Sequence, residues 1–251
     1  MKSQNNKSPL FWATTGLFTA LVAVVTMSFS VYVPATRGFF NIGDSMVFLT
    51  SLLFGPISGA FAGGVGSAMA DLLLGYSYYA PATLIIKGFE GYVVGVLIKR
   101  KPMLSVYLWR MLTLSFGLII SILLAYFGVV FYSGDVGITF GSITININIP
   151  WMIWILISAL ILITVAWFGW KNDPDMGWTI LSVTVGGLIM VLGYFIYQFF
   201  FIGPLFQIEV IAIAEIPINM GQMIIGIIVS ILLYRSIQRY LPFLQSNYKR
   251  S

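Results

Sequence analysis

Two pairs of polar residues stand out in apolar surroundings. In "LIIKGFEGYVVG", residues 84–95, Lys87 and Glu90 are three apart and share one helix face. In "IPINMGQ", residues 216–222, Asn219 and Gln222 repeat that spacing. Charged side chains at membrane depth are costly and mark binding sites, ion paths or internal pairs. Asp44, Asp71, Tyr194 and Gln198 complete a set of carboxylates, carboxamides, a phenol and one ammonium. Such a set suits a polar organic molecule with several donors and acceptors. For any single residue the simpler reading is helix packing, with Lys87 paired to Glu90 or to Asp71.

The chemistry is that of binding rather than turnover. The chain has no cysteine and no histidine, which removes disulfides, thiolate chemistry and the usual zinc sites. It contains no HExxH and no GxSxG, so an enzyme and a metal site have no support. No cofactor is implied. A G-x-x-x-x-G-K-[ST] loop is also absent, so the chain has no Walker-type ATP site.

The elements that must position these residues are membrane helices. Of the 251 residues 59% are hydrophobic and 8% charged, with a mean hydropathy of +0.96. A soluble domain carries about 25% charged residues. The expected class is therefore an all-α integral membrane protein in a single transmembrane domain. Apolar runs and breakers predict eight spans, at 10–33, 42–54, 56–75, 81–99, 104–131, 150–170, 178–202 and 210–235. The second is short and is set off from the third by Gly55-Pro56, as in a helical hairpin. Lys2 and Lys7 precede the first apolar run as in a signal peptide, but the run is long and reads as an uncleaved span.

With the N-terminus inside, Lys2, Lys7, Lys99, Arg100, Lys101, Lys171, Arg235, Arg239, Lys249 and Arg250 fall on the inner side, and only Arg37 on the outer. The positive-inside rule then predicts a multi-pass protein of the cell membrane with both termini cytoplasmic. At about 1.5 Å per residue, Lys87 and Glu90 lie roughly 9 and 14 Å below the outer surface. Tyr194, Gln198, Asn219 and Gln222 fall at comparable depth, with Glu215 above them. These positions predict a polar cavity open to the outside. The loop "RGFFNIGD", carrying Asn41 and Asp44, and "YAPAT", carrying Tyr79, would close it with aromatic walls. On this reading Asn219 and Gln222 read the ligand, Tyr79 and Tyr194 flank it, and Lys87 either touches it or holds Glu90 and Asp71.

Small residues form a second pattern. Gly55, Gly59, Gly63, Gly66 and Ala70 make a ridge on the third helix whose default role is internal packing. Gly16, Ala20 and Ala23, with Ala13, make a stripe on the inner half of the first, away from the cavity, which suits docking of another membrane protein.

Several ordered motifs resemble one family. GD at 43–44, FGP at 54–56, GSAMAD at 66–71, YAPAT at 79–83, KGFEG at 87–91, GYF at 193–195 and IPINMGQ at 216–222 are similar to substrate-binding (S) components of energy-coupling factor (ECF) transporters, riboflavin-transporter type. The resemblance covers residues 10–100 and 178–235 and implies a six-helix core, with 104–170 as an extra helix pair. It implies capture of a vitamin-like heterocycle, riboflavin first, with pyridoxine-like and pyrimidine compounds next. It also implies two kinds of partner, a transmembrane coupling protein and a pair of ABC-type ATPases, docking through Gly16-xxx-Ala20. The rival is a self-sufficient secondary transporter with Asp71, Glu90 and Glu215 as proton sites.

Overall fold

The computed structural model describes residues 9–34, 37–100, 105–140, 143–171, 174–202, 204 and 212–240, without side chains over 135–147. Among the predicted inner cations, Lys2, Lys7, Lys101, Lys249 and Arg250 lie outside the described residues, as do the starts of the spans expected at 104 and 210.

Among the described residues, eight helices follow one another in the expected order. They are α1 (Pro9–Ser28), α2 (Asp44–Phe54), α3 (Pro56–Leu74), α4 (Ala80–Lys99), α5 (Val106–Phe131), α6 (Trp151–Lys171), α7 (Pro174–Ile202) and α8 (Glu215–Tyr240). Two antiparallel hairpins join them, β1 (Ser30–Val33) with β2 (Gly38–Asn41) and β3 (Gly134–Phe140) with β4 (Ile143–Ile149). Seven of the helices are long and apolar enough to cross a membrane, and the chain is a multi-pass membrane protein.

Three predicted boundaries are corrected. The first helix stops at Ser28, because "SVYV" at 30–33 is β-branched and aromatic and pairs with Gly38–Asn41 instead. The last helix runs on to Tyr240 rather than ending at 235; its α-helical part opens at Glu215 after a 3-10 turn at Ala212–Ala214, with Pro217 accommodated in its first turn. The second helix is not a full span: eleven residues rise only about 16 Å, half the hydrocarbon thickness. Its first residue, Asp44, meets Lys87, about 10 Å along α4. Its end at Gly55 lies against the Lys99 side chain at the end of α4. The chain therefore enters the bundle as a hairpin and loop, and becomes helical only at mid-depth.

Lys99, Lys171 and Arg239 sit in the last turns of their helices, and Arg235 lies one turn further in on the same helix as Arg239. The start of α7 adjoins the end of α4, since Trp178 Nε1 donates to the Leu97 carbonyl at 2.7 Å. The start of α5 adjoins the end of α6, since Trp109 Nε1 donates to the Gly169 carbonyl at 3.1 Å. These cations mark a basic end of the bundle. Next to it lies an apolar core of Val22, Val47, Phe48, Leu52, Val94, Ile98, Val183 and Ile231. The polar residues gather toward the other end.

The glycine ridge is internal. A Cβ on Gly59 would lie 2.7 Å from the Gly91 carbonyl oxygen, one on Gly63 would lie 2.6 Å from that of Lys87, and one on Gly66 would lie 2.6 Å from that of Thr19. Backbones of α1, α3 and α4 thus touch directly, as small residues permit in lipid. Within α3 the stretch Ala62–Gly66 is a π turn, one residue wider than the α-helix around it. Gly55 (φ +80°) and Gly75 (φ +88°) make the turns at either end of α3 in a region side chains disfavour.

The pair α5–α6 is peripheral. α6 packs on α5, and α5 in turn touches α7 and α8. Ser158 and Gly169 are the buried residues of α6. At the far end, β3 lies against β1, and the Tyr132 hydroxyl donates to the Ala214 carbonyl at the entry to α8. The pair is thereby tied to the end of the bundle where the polar residues gather.

Candidate functional site

Lys87 belongs to an ion-pair cluster sealed inside the bundle. Its ammonium is paired with Asp44 and, at 3.0 Å, with Glu90. The three residues are 3%, 1% and 0% exposed, so neither water nor a ligand in the cavity reaches them directly. Glu90 is the partner expected from sequence, and Asp44 stands where Asp71 was the alternative, because α2 delivers Asp44 to α4. One ammonium between two carboxylates leaves the cluster one negative charge in excess when all three are ionised.

The cluster sets the position of the loop above it. Asp44 opens α2, and before it the Gly43 N–H donates to Asn41 Oδ1 at 2.9 Å, an Asx turn. The Asn41 N–H donates to Gln222 Oε1 at 2.5 Å, and Gln222 Nε2 donates to Asn219 Oδ1 at 2.9 Å. The i,i+3 pair on α8 therefore grips the end of β2. Gly226, one turn below Gln222, lets α2 approach: a Cβ there would be 2.9 Å from Asp44 Cβ.

Above the cluster is a small cavity of about 30 Å³, lined by Gly38, Phe39, Asn41, Asp71, Thr83, Tyr79, Tyr194 and Glu215. Tyr194 donates to Thr83 Oγ1 at 2.9 Å, and its ring lies 5.9 Å from the Lys87 ammonium. Gln198, placed by a π turn at 198–202, donates from Nε2 to the Tyr79 hydroxyl at 2.5 Å. Tyr79 meets the rings of Tyr194 and Tyr197 at 6.2 and 6.1 Å, and Phe39 meets Tyr76 at 4.6 Å. Burial, reinforced by the Glu215 carboxylate, holds the Tyr79 phenol above its ordinary range, so it stays protonated at neutral pH.

Four predicted residues, Asn41, Asp71, Tyr79 and Tyr194, line the cavity. Lys87, Glu90 and Asp44 lie beneath it as the sealed cluster, Gln198 braces Tyr79, and Asn219 with Gln222 holds the hairpin. Thr83, Phe39 and Gly38 were not singled out from sequence, although Thr83 sits in YAPAT and Phe39 in the quoted loop. The strand pairing that turns Phe39 toward the bundle has no helical period to betray it. A space of about 30 Å³ is the share of one water molecule. The cavity as it stands is too small for a heterocyclic ring. Gln222→Ala removes the acceptor of the buried Asn41 N–H, a cost of about 1–3 kcal/mol. Faster hydrogen–deuterium exchange across residues 38–44, with the middle of α8 unchanged, is the expected result.

The predicted docking stripe divides. Gly16 and Ala20 are exposed on α1, and no atom lies within 4 Å of a Cβ placed on Gly16. Ala23 is 6% exposed and faces the core, so it is not part of that open surface.

Comparison with known proteins matches the family "ECF-type riboflavin transporter, S component" over residues 8–147, more than half of the chain. The chain belongs to this family. It is a family of transporter subunits and not of enzymes. The match runs through α5 and most of the β3–β4 hairpin, and stops before α7 and α8. This S component is 53% identical over 74 residues to an uncharacterized protein in gap 3'region from Pyrococcus woesei, covering 30% of this chain and 49% of that one. It is 31% identical over 97 residues to the thiamine precursor transporter HmpT from Lactococcus lactis subsp. cremoris (strain MG1363), covering 38% and 58%. The chain spans about half the length of the curated relatives it matches.

Proposed function

We propose that this S component captures a vitamin-like heterocycle from outside the cell at the Asn41–Asp71–Tyr79–Tyr194 cavity. An ECF coupling protein and two ABC-type ATPases then drive its uptake. The observation that carries the reading is the convergence of buried polar and aromatic side chains at the end of the bundle opposite the basic one, in a chain of this family. The basic end faces the cytoplasm, with both termini, by the positive-inside rule. Riboflavin, named by the family, and a thiamine precursor, named by the Lactococcus relative, are the first compounds to try. Nucleotide hydrolysis comes from the partners, since this sequence has no Walker-type loop.

The open face of α1 around Gly16 and Ala20 supports a docking surface for the coupling protein. The test is reconstitution in liposomes, with and without the coupling protein and ATPases. ATP-dependent uptake with the full set, and none with the chain alone, is expected. Proton-driven uptake by the chain alone would establish the secondary transporter instead. Gly16→Leu should leave ligand binding by the purified chain unchanged and lower ATP-dependent uptake about tenfold or more, the effect of losing roughly 1.4 kcal/mol of docking energy.

A further inference from the structure

The cavity and the cluster beneath it carry more acid than base. Asp44, Asp71, Glu90 and Glu215 are 1%, 4%, 0% and 5% exposed, and Lys87 is the one basic residue among them. That ammonium is already held between Asp44 and Glu90. The positive charge nearest the rim is Arg37, which is exposed, so water and salt screen it. Asp71 stands apart from the ion pairs. It lines the cavity, and its Oδ2 is buried without a hydrogen-bond partner. Beside it Thr83 supplies a hydroxyl within hydrogen-bonding reach. The aromatic side chains of Phe39, Tyr79 and Tyr194 line the same cavity. A buried carboxylate needs a counter-charge. Aromatic faces beside a carboxylate favour a flat cation.

We infer that the cavity takes a cationic or protonated nitrogen heterocycle, with the Asp71 carboxylate as its counter-ion and Phe39, Tyr79 and Tyr194 as its ring walls. This rests on the reading that the cavity is the substrate site, and it narrows the substrate to one charge class. It also assigns Lys87 away from the ligand: the ammonium balances its two carboxylates and is not spare for a third anion.

The test is binding to the purified full chain, by calorimetry, of three probes: thiamine, a permanent cation; thiochrome, its neutral fused-ring counterpart; and riboflavin, also neutral. Thiamine should bind at least about 30-fold more tightly than thiochrome, the ratio expected for a buried charge pair against one left unpaired. Asp71→Asn should erase that preference by weakening thiamine alone, and Asp71→Glu, which keeps the charge, should retain it. The wild-type comparison stands even if a variant fails to fold. Equal or tighter binding of riboflavin or thiochrome, unchanged by Asp71→Asn, would overturn the charge assignment and leave capture at this cavity intact. No binding of any probe by folded wild-type chain would overturn the capture reading and this inference with it.

Discussion

Lys87→Met is expected to cost about 3–5 kcal/mol, enough to leave little folded protein in detergent. The substitution keeps the length of the side chain and removes its charge. It abandons Asp44 and Glu90, which are 1% and 0% exposed, beside each other with no counter-ion. Two like charges in a low dielectric repel, and each also forfeits its hydration. The loss does not stop at stability. Asp44 begins α2, and the Asx turn before it places Asn41 at the cavity. Lys87 is in this sense a positioning residue, acting on the ligand through Asp44 and the loop. A triple variant, Lys87→Met with Asp44→Asn and Glu90→Gln, removes the charges together and should recover most of the lost stability. Thermal unfolding of the purified variants, read by monodisperse fraction, checks both. A single Lys87→Met variant that unfolds within about 2 °C of wild type would show that the cluster holds nothing, since 1 kcal/mol shifts a chain of this size by about 2–4 °C.

Gly91→Ala should be among the most damaging single changes, although it adds one methyl group. Its Cβ would lie 2.3 Å from the Gly59 carbonyl oxygen and 2.6 Å from its carbon. Both are backbone atoms, so no rotamer relieves the clash and α3 must move off α4. Overpacking of this kind costs about 1–3 kcal/mol or more. Because α3 carries Asp71 and α4 carries Thr83 and Lys87, separation also opens the cavity floor. Gly88→Ala is the control from the same motif. Its Cβ meets the Ala60 carbonyl oxygen at 3.4 Å, an ordinary contact, and alanine favours the helix by about 1 kcal/mol. Gly88→Ala should match or exceed wild-type stability while Gly91→Ala falls well below it, with ligand affinity following the same order. Equal stability of the two would refute the close seam.

The eight helices were legible because each is an apolar run closed by a breaker, and Gly55-Pro56 and Gly75 mark their turns without reference to partners. That the polar residues gather at one end of the bundle was legible too, since rise per residue brings Lys87, Tyr194 and Asn219 to similar distances along their helices. What the sequence hid came from tertiary pairing. "SVYV" reads as the end of an apolar helix until Gly38–Asn41 offers it a strand partner. Asp44 reads as part of the loop that closes the cavity until the chain dips inward and delivers it to Lys87. Ala23 follows Ala20 by three residues and shares its side of the helix on paper, yet that turn carries it from the open face of α1 to the core. Periodicity names the residues on a face; it does not say which face meets lipid.

The wide turn at Ala62–Gly66 divides α3 into two lengths that are out of phase with each other. Before it, the glycines interlock with α4 at distances that admit no side chain. After it, one additional residue has turned the helix by about 100° relative to an unbroken one, and that rotation faces Asp71 toward the cavity. The glycine seam and the cavity-lining surface are thus keyed to different registers of a single rod. On the proposed reading of the cavity, a substitution at Asp71 would alter what is recognised while leaving the close approach at Gly59 and Gly63 in place.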